Sequence, residues 1–273
     1  MTDRVLLRFD NDIAYVTLNR PDKHNGMDFL MLRALLDVQR KLRRRRDIRA
    51  VILHGAGPSF CAGLDFKAAF GKPLKLFAMA LQLLLPWRND FQRWSMGWRT
   101  LGVPVIAVVH GNCFGAGIQL ALGADIRISA ADARYSIMEA KWGLVPDMGG
   151  TPLLRDVLPL DVAKELTMTG RVISAQEAHG YGLLTHVSDD PMAHARRLVT
   201  EIASRSPDAV AAGKFLLQQA YAASDSSALR AERRWQRRII GRANQRTAVA
   251  RNQAQGPGQE EGMQKEFGTR RIG

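Results

Sequence analysis

The chain is short of cysteine, of acidic residues and of long apolar runs. Two cysteines, Cys61 and Cys113, among 273 residues make no disulfide framework, and no Cys-x-x-Cys pair offers a zinc or dithiol site. The longest apolar run, Leu76 to Leu85, is interrupted by Gln82 and stopped by Pro86, well short of the roughly 20 residues a bilayer span needs. The start, Met1-Thr2-Asp3-Arg4, lacks the apolar stretch of a secretory signal, so the expectation is a cytoplasmic protein without a membrane partner. There is no Gly-x-Gly-x-x-Gly and no Gly-Lys-Ser/Thr, which excludes the dinucleotide fingerprint and the phosphate loop.

Acidic residues number 26 against 39 Lys and Arg, a formal net charge of +13. Such a balance favours an anionic partner. The arginines concentrate at Arg43 to Arg46 and between Arg230 and Arg251. Both clusters read as solvated helix faces, the first closing a helix where cations suit the negative end of the dipole. No zinc finger or aromatic-interleaved RNA motif accompanies them, so nucleic acid is not the expected partner.

What is present is an ordinary globular composition, 46% hydrophobic and 24% charged, arranged as alternating strands and helices. Val5 to Phe9 and Ile13 to Leu18 flank the turn residues Asp10-Asn11-Asp12. Asp28 caps a helical pattern through Leu42, and Arg49 to His54 and Pro104 to Val109 are buried-strand runs. Asp125 to Ser129 and Arg134 to Met138 predict short strands, and Phe91, Trp94 and Trp98 fall at helical spacing. Strands separated by helices imply parallel pairing through crossovers. After about Leu183 the pattern is helical: Met192 to Ser204, Ala209 to Ala222 and Ala228 to Ile240.

Two segments share one design, a buried strand, a tight glycine turn and a helical start: Ser59-Phe-Cys-Ala-Gly-Leu-Asp65 and His110-Gly-Asn-Cys-Phe-Gly-Ala-Gly-Ile-Gln119. Glycine lets a ligand approach the backbone closely, and the first N–H groups of a helix point outward unpaired. Two such turns converging on one oxygen atom would make an oxyanion hole.

These turns belong to an ordered set: Asn19-Arg-Pro-Asp-Lys-His-Asn25, Phe60-Cys-Ala-Gly-Leu-Asp65, His110 to Gly117, Ala124-Asp-Ile-Arg127, Gly143-Leu-Val-Pro146, Gly149-Gly150, and Thr169-Gly-Arg171 with Ala175-Gln-Glu-Ala178. In this order, over about Val5 to Ala250, the chain resembles the crotonase (enoyl-CoA hydratase/isomerase) superfamily. The resemblance implies an α/β spiral of repeated ββα units. Residues 1–190 would form the core with the acyl-CoA site, 191–251 a helical oligomerisation section and 252–273 a polar tail. It also implies an acyl-CoA thioester substrate, no metal and no cofactor beyond the coenzyme A of the substrate, and a homotrimer or homohexamer.

By position, the backbone N–H groups of Leu64 and Ala116 would hold the thioester oxygen, with Lys23, Ala62 and Asp65 on coenzyme A. The acyl pocket would draw on Phe70 and Trp142. The family's hydratases use two glutamates. Glu139 matches the later one, whereas the earlier position here is Gln119, which can orient water or substrate but cannot take up a proton near neutral pH. Asp147, eight residues after Glu139, resembles the acid of the dienoyl-CoA isomerase branch, which has an aspartate where this chain has Gln119. Asp147 could also merely cap a helix starting near Gly149. The reading is therefore proton-transfer isomerisation of an enoyl- or dienoyl-CoA by Glu139 and Asp147, with hydration as the alternative. A non-catalytic CoA- or RNA-binding relative is a more distant one. The two cysteines read as small buried hydrophobes, and His24, His54 and His110 as structural.

Overall fold

The computed structural model describes residues 3–65, 89–254 and 266–273. Strands β1 (Val5–Asp10) and β2 (Ile13–Leu18) pair antiparallel about Asn11 and Asp12, with Asn11 in the left-handed region at φ 52°, a conformation asparagine tolerates better than most residues. Helix α1 (Phe29–Arg44) starts where the Asp28 carboxylate accepts the Met31 N–H at 2.8 Å and ends with Lys41, Arg43 and Arg44 in its last turn. The arginine run thus sits where the helix dipole favours cations.

Strands β3 (Ala50–Gly55), β4 (Val105–Val109), β6 (Ile126–Ala130) and β9 (His186–Ser188) add in parallel to give the order β1-β2-β3-β4-β6-β9. Alternate residues of β3 and β4 bury into two different cores, which is why these runs read as continuously apolar. Val51, Leu53, Val105 and Ala107 face the large core under α1, while Ala50, Ile52, Ile106 and Val108 pack with Ala195 and Val199 of α7 (Pro191–Ala203). A second sheet, β5 (Asn112–Phe114), β7 (Arg134–Ser136) and β8 (Ile173–Ser174), lies beyond the end of β4.

Between these run α2 (Asp90–Met96), α3 (Ala116–Leu122), α4 (Gly150–Arg155), α5 (Leu160–Thr169) and α6 (Ala175–Gly180). Strand β7 stops at Ser136, short of the expected Met138, because the chain turns into a 3-10 segment at Glu139–Trp142. The C-terminal helices are α7, α8 (Pro207–Ala220), α9 (Asp225–Ile239) and α10 (Ala243–Ala254). Helix α9 begins three residues earlier than its apolar pattern suggests, and α10 has too weak an apolar face to be read from periodicity. The exposed face of α9 carries Arg233, Arg234, Arg237 and Arg238.

A buried ion pair ties the C-terminal helices to the sheet. Lys214 of α8 places Nζ 2.7 Å from Asp125 and donates to the carbonyls of Trp98 and Val103 at 3.2 and 2.9 Å. Asp125 also accepts the Val105 N–H at 2.8 Å. Burial pulls the Lys214 ammonium below the usual lysine range, and Asp125 opposes that shift. Breaking a buried pair from one side leaves an uncompensated charge, so Lys214→Met is expected to lower the unfolding free energy by about 3 kcal/mol. Lys214→Met with Asp125→Asn should recover part of that loss in urea melts.

Candidate active site

The loop before α1 and the two glycine turns are sewn together by backbone. Phe60 N–H donates to His110 O at 2.8 Å, Cys61 N–H to Asn112 O at 3.0 Å, and Phe114 N–H to Cys61 O at 3.0 Å. A methyl group on Gly117 would fall on the Cys61 carbonyl oxygen and lie 2.9 Å from Cys61 Cβ, so α3 can approach the first turn only with glycine there. Asn25, fully buried, staples the entering loop: its side chain accepts the Arg20 N–H and donates to the carbonyls of Ala56 and Ser59 at 2.8, 2.8 and 2.7 Å.

Leu64 forms a parallel bridge with Met27 in which the flanking groups do the bonding, Met27 N–H to Gly63 O and Asp65 N–H to Met27 O. In such a bridge the N–H of Leu64 itself points to the other side of the strand. Ala116 is the first residue of α3, after Gly115 at φ 50°, so its N–H is one of the groups a helix leaves unpaired. Among the described residues neither N–H donates to a backbone carbonyl of these turns. The turns are adjacent: a methyl on Gly63, which has φ 102°, would lie 3.9 Å from Ala116 N. The carbonyl of Ala116 is held from behind by the buried Trp94 indole N–H at 2.9 Å.

Glu139 stands beside the second turn. A methyl on Gly115 would be 3.5 Å from its Oε1, and Gly115 N–H donates to Ser136 O, which fixes the turn to β7 three residues before the carboxylate. Gln119, 1% exposed, donates Nε2–H to Glu139 Oε1 at 2.6 Å and accepts the N–H groups of Met148 and Gly150 on Oε1 at 2.9 and 3.0 Å. Glu139 Oε2 is buried and has no hydrogen-bond partner among the described residues. Burial pushes the Glu139 carboxyl above the usual range. Its own backbone N–H and the Gln119 amide pull it back, and the charge of Asp147 pushes it further up.

Asp147 is exposed, yet partial desolvation by its surroundings raises its carboxyl as well. It does not cap α4, whose N-cap is Gly149 at φ 81° without a side-chain bond. It borders a cavity of about 780 Å³ with Gln92, Met96, Gly149, Phe215 and Gln218. Trp142, 57% exposed, follows Glu139 on the 3-10 turn. Phe70 lies outside the described residues.

Lys23 is exposed at the end of a 3-10 turn, Pro21–Lys23. Ala62 spends its N–H on the His24 carbonyl at 2.9 Å. The Asp65 carboxylate pairs with Arg20 at 2.7 Å. The cysteines are fully buried, with Cys61 pushed up to about 12 and Cys113 well above its usual value, both by burial. His24, His54 and His110 bond Ser59 Oγ, Thr17 Oγ1 and Gly57 O at 2.9, 2.9 and 2.8 Å. Among the described residues no cluster of His, Cys, Asp and Glu could hold a metal ion, and no helix is long and apolar enough to cross a membrane. The partners of Gln119 were not legible in the sequence. The only signal was the Gly149-Gly150 pair, since a methyl on Gly150 would sit 2.6 Å from the Gln119 side chain.

This architecture is the crotonase fold. An enoyl-CoA hydratase structure from Bacillus anthracis superposes with a TM-score of 0.85 at 28% identity, covering 92% of this chain and 96% of that one. A Thermobifida fusca structure described as a putative enoyl-CoA hydratase in complex with acetoacetyl-CoA has a TM-score of 0.79 at 32% identity, covering 86% and 94%.

The chain belongs to the enoyl-CoA hydratase/isomerase family, whose profile matches residues 8–256. It is 36% identical to (E)-benzylidenesuccinyl-CoA hydratase of Thauera aromatica over 214 residues, 77% of this chain and 80% of the relative. It is also 36% identical to the human mitochondrial Delta(3,5)-Delta(2,4)-dienoyl-CoA isomerase over 223 residues, 75% and 65% of the two.

The close approach of the two turns makes glycine at 117 a packing requirement. Gly117→Ala is expected to cost about 1–3 kcal/mol of stability as the turn is forced apart. Gly213→Ala in α8, where a methyl would meet nothing within 4 Å, should instead be neutral or stabilising by roughly 0.5–1 kcal/mol. Urea denaturation of both variants reads the contrast.

Proposed function

We propose that the chain is an acyl-CoA isomerase that moves a double bond of an enoyl- or dienoyl-CoA by proton transfer. The thioester oxygen would rest on the N–H groups of Leu64 and Ala116. Glu139 Oε2 would take a proton from carbon: the C–H bond breaks, an O–H bond forms, and the electron pair runs into the thioester carbonyl to give an enolate. Return of a proton to a carbon further along the acyl chain re-forms the carbonyl and leaves the double bond shifted, with no change of mass. A fixed oxyanion donor is typically worth roughly 3–4 kcal/mol of barrier. Asp147, whose charge acts on Glu139, would serve the more distant carbon of a dienoyl substrate, and the Ala62 carbonyl and Lys23 would meet coenzyme A.

The observation that carries this reading is the direct contact between Gln119 and Glu139 at 2.6 Å. Glutamine cannot take up a proton near neutral pH, so this pair offers one carboxylate where hydration by paired acids needs two. The Glu139 Oε1 that could share a nucleophilic water with residue 119 already accepts the Gln119 N–H. The identity to (E)-benzylidenesuccinyl-CoA hydratase supports water addition as a second reading, in which Asp147 would have to supply the second carboxylate.

Incubation with 2-enoyl-, 3-enoyl- and 3,5-dienoyl-CoA thioesters, followed by mass spectrometry and absorbance, separates the two. Isomerisation leaves the mass unchanged and alters the chromophore, whereas a product heavier by one water replaces the proposal with hydration. Glu139→Gln is expected to keep acyl-CoA binding and lose turnover by about 100-fold or more. Asp147→Asn should approach that loss on the dienoyl substrate alone.

A further inference from the structure

We infer that Gln119 is a positioning residue, an amide clamp that confines the mobile proton of Glu139 to Oε2 and locks the loop bearing Asp147 to the same carboxylate. The assignment deepens the isomerase reading and rests on it for its catalytic meaning, but its geometry stands independently of which reaction is run.

The orientation of the Gln119 amide is set by backbone. Met148 and Gly150 both present N–H donors, at 2.9 and 3.0 Å, to one end of the side chain. Only the carbonyl oxygen can accept them, so the NH2 end must face Glu139. Glu139 Oε1 consequently receives an N–H at 2.6 Å and cannot carry a proton directed at that donor. When Glu139 is protonated, the proton sits on Oε2, the oxygen that is buried and without a partner among the described residues. One oxygen is thus tied down, and the proton is carried by the other, which is enclosed in this structure and must be uncovered as a ligand enters.

The clamp also reaches Asp147. Its two backbone donors immediately follow that residue and span the glycine turn at Gly149. Gly150 is required for the fit, since a methyl there would lie 2.6 Å from both Cγ and Oε1 of Gln119. Gln119 is 1% exposed, so the clamp is enclosed and a methyl at 150 can only push the amide off its two donors.

Among the described residues the charged groups that bear on Glu139 are Asp147, Lys141, Lys164 and Glu165. Asp147 on the 143–149 loop raises the Glu139 carboxyl, while Lys141 on the same turn as Glu139 and Lys164 and Glu165 on α5 are exposed. The Gln119 N–H favours the ionised carboxylate, and its removal moves the titration of Glu139 to higher pH. This is the sign expected when a donor to the charged form is lost.

The test uses Gln119→Leu, which deletes the clamp, and Gly150→Ala, which displaces it from the other side. Gln119→Glu keeps an acceptor for the two backbone N–H groups but replaces the donor. Glu139 is titrated in the resting enzyme by infrared difference spectroscopy, its carboxyl band identified by its loss in Glu139→Gln. The pH profile of kcat/KM is followed in parallel. Gln119→Leu and Gly150→Ala should raise the Glu139 titration and the acid limb together, with kcat down roughly 10- to 100-fold, the range for a lost hydrogen bond to a charged group, and KM little changed. Gln119→Glu should convert the single titration into a coupled, two-step one. If Gln119→Leu or Gly150→Ala, folded by circular dichroism, titrates Glu139 at the parent pH, the clamp is overturned even where Glu139→Gln is inactive. Shifted infrared titrations in an enzyme that hydrates rather than isomerises would uphold the clamp and overturn the proposed reaction.

Discussion

The interleaving of two backbone turns is the arrangement on which the rest of this molecule depends. The carbonyl and N–H groups of residues 60–61 alternate with those of 110–114 in three hydrogen bonds of 2.8–3.0 Å, and α3 closes down on Cys61 because residue 117 has no side chain. The contact delivers Ala116 to a helix start adjoining Gly63 and puts Gly115 within bonding distance of β7. From Ser136, three residues bring the chain to Glu139. Displacing either turn would move the N–H groups, the carboxylate and its glutamine at once.

Around this backbone core the polar side chains divide into two kinds. Asn25, Arg20, Asp65 and Trp94 spend their groups on holding loops and carbonyls in place, with little left for a ligand. Glu139 and Asp147 differ: both are pushed above the usual carboxylate range by desolvation, and Glu139 keeps one oxygen unpartnered. Burying a carboxylate oxygen without a donor costs stability, which sets Glu139 apart from the saturated side chains around it.

Most of the central sheet was legible in the sequence because strands buried on two faces leave runs such as Ala50 to Leu53 and Val105 to Val109, and because Asp28 and the arginine run mark the ends of α1. The glycine turns were legible through their spacing. What escaped had no periodic signature. Helix α10 is nearly uniform in polarity around its axis. Residues 266–273 are short and polar, yet Arg270 is 3% exposed and donates to the carbonyl of Arg45 at 2.9 Å, while Asp208 accepts from the Arg271 and Ile272 N–H groups. In the site, Glu139 and Asp147 were named from position. The saturation of Gln119 by two backbone donors was not, since it depends on a loop 29 residues away folding back.

The cradle at Met148 and Gly150 bears on how this scaffold diversifies. It grips residue 119 by one oxygen only, and glutamine and glutamate present that oxygen alike. Their codons differ in the first base. A chain carrying either side chain would keep the loop, the glycine turn and the neighbouring helix start, while the group facing Glu139 changed from a donor to an acid. A single nucleotide therefore separates two proton inventories at this position, the acid requiring Glu139 and residue 119 to share a proton across the same contact.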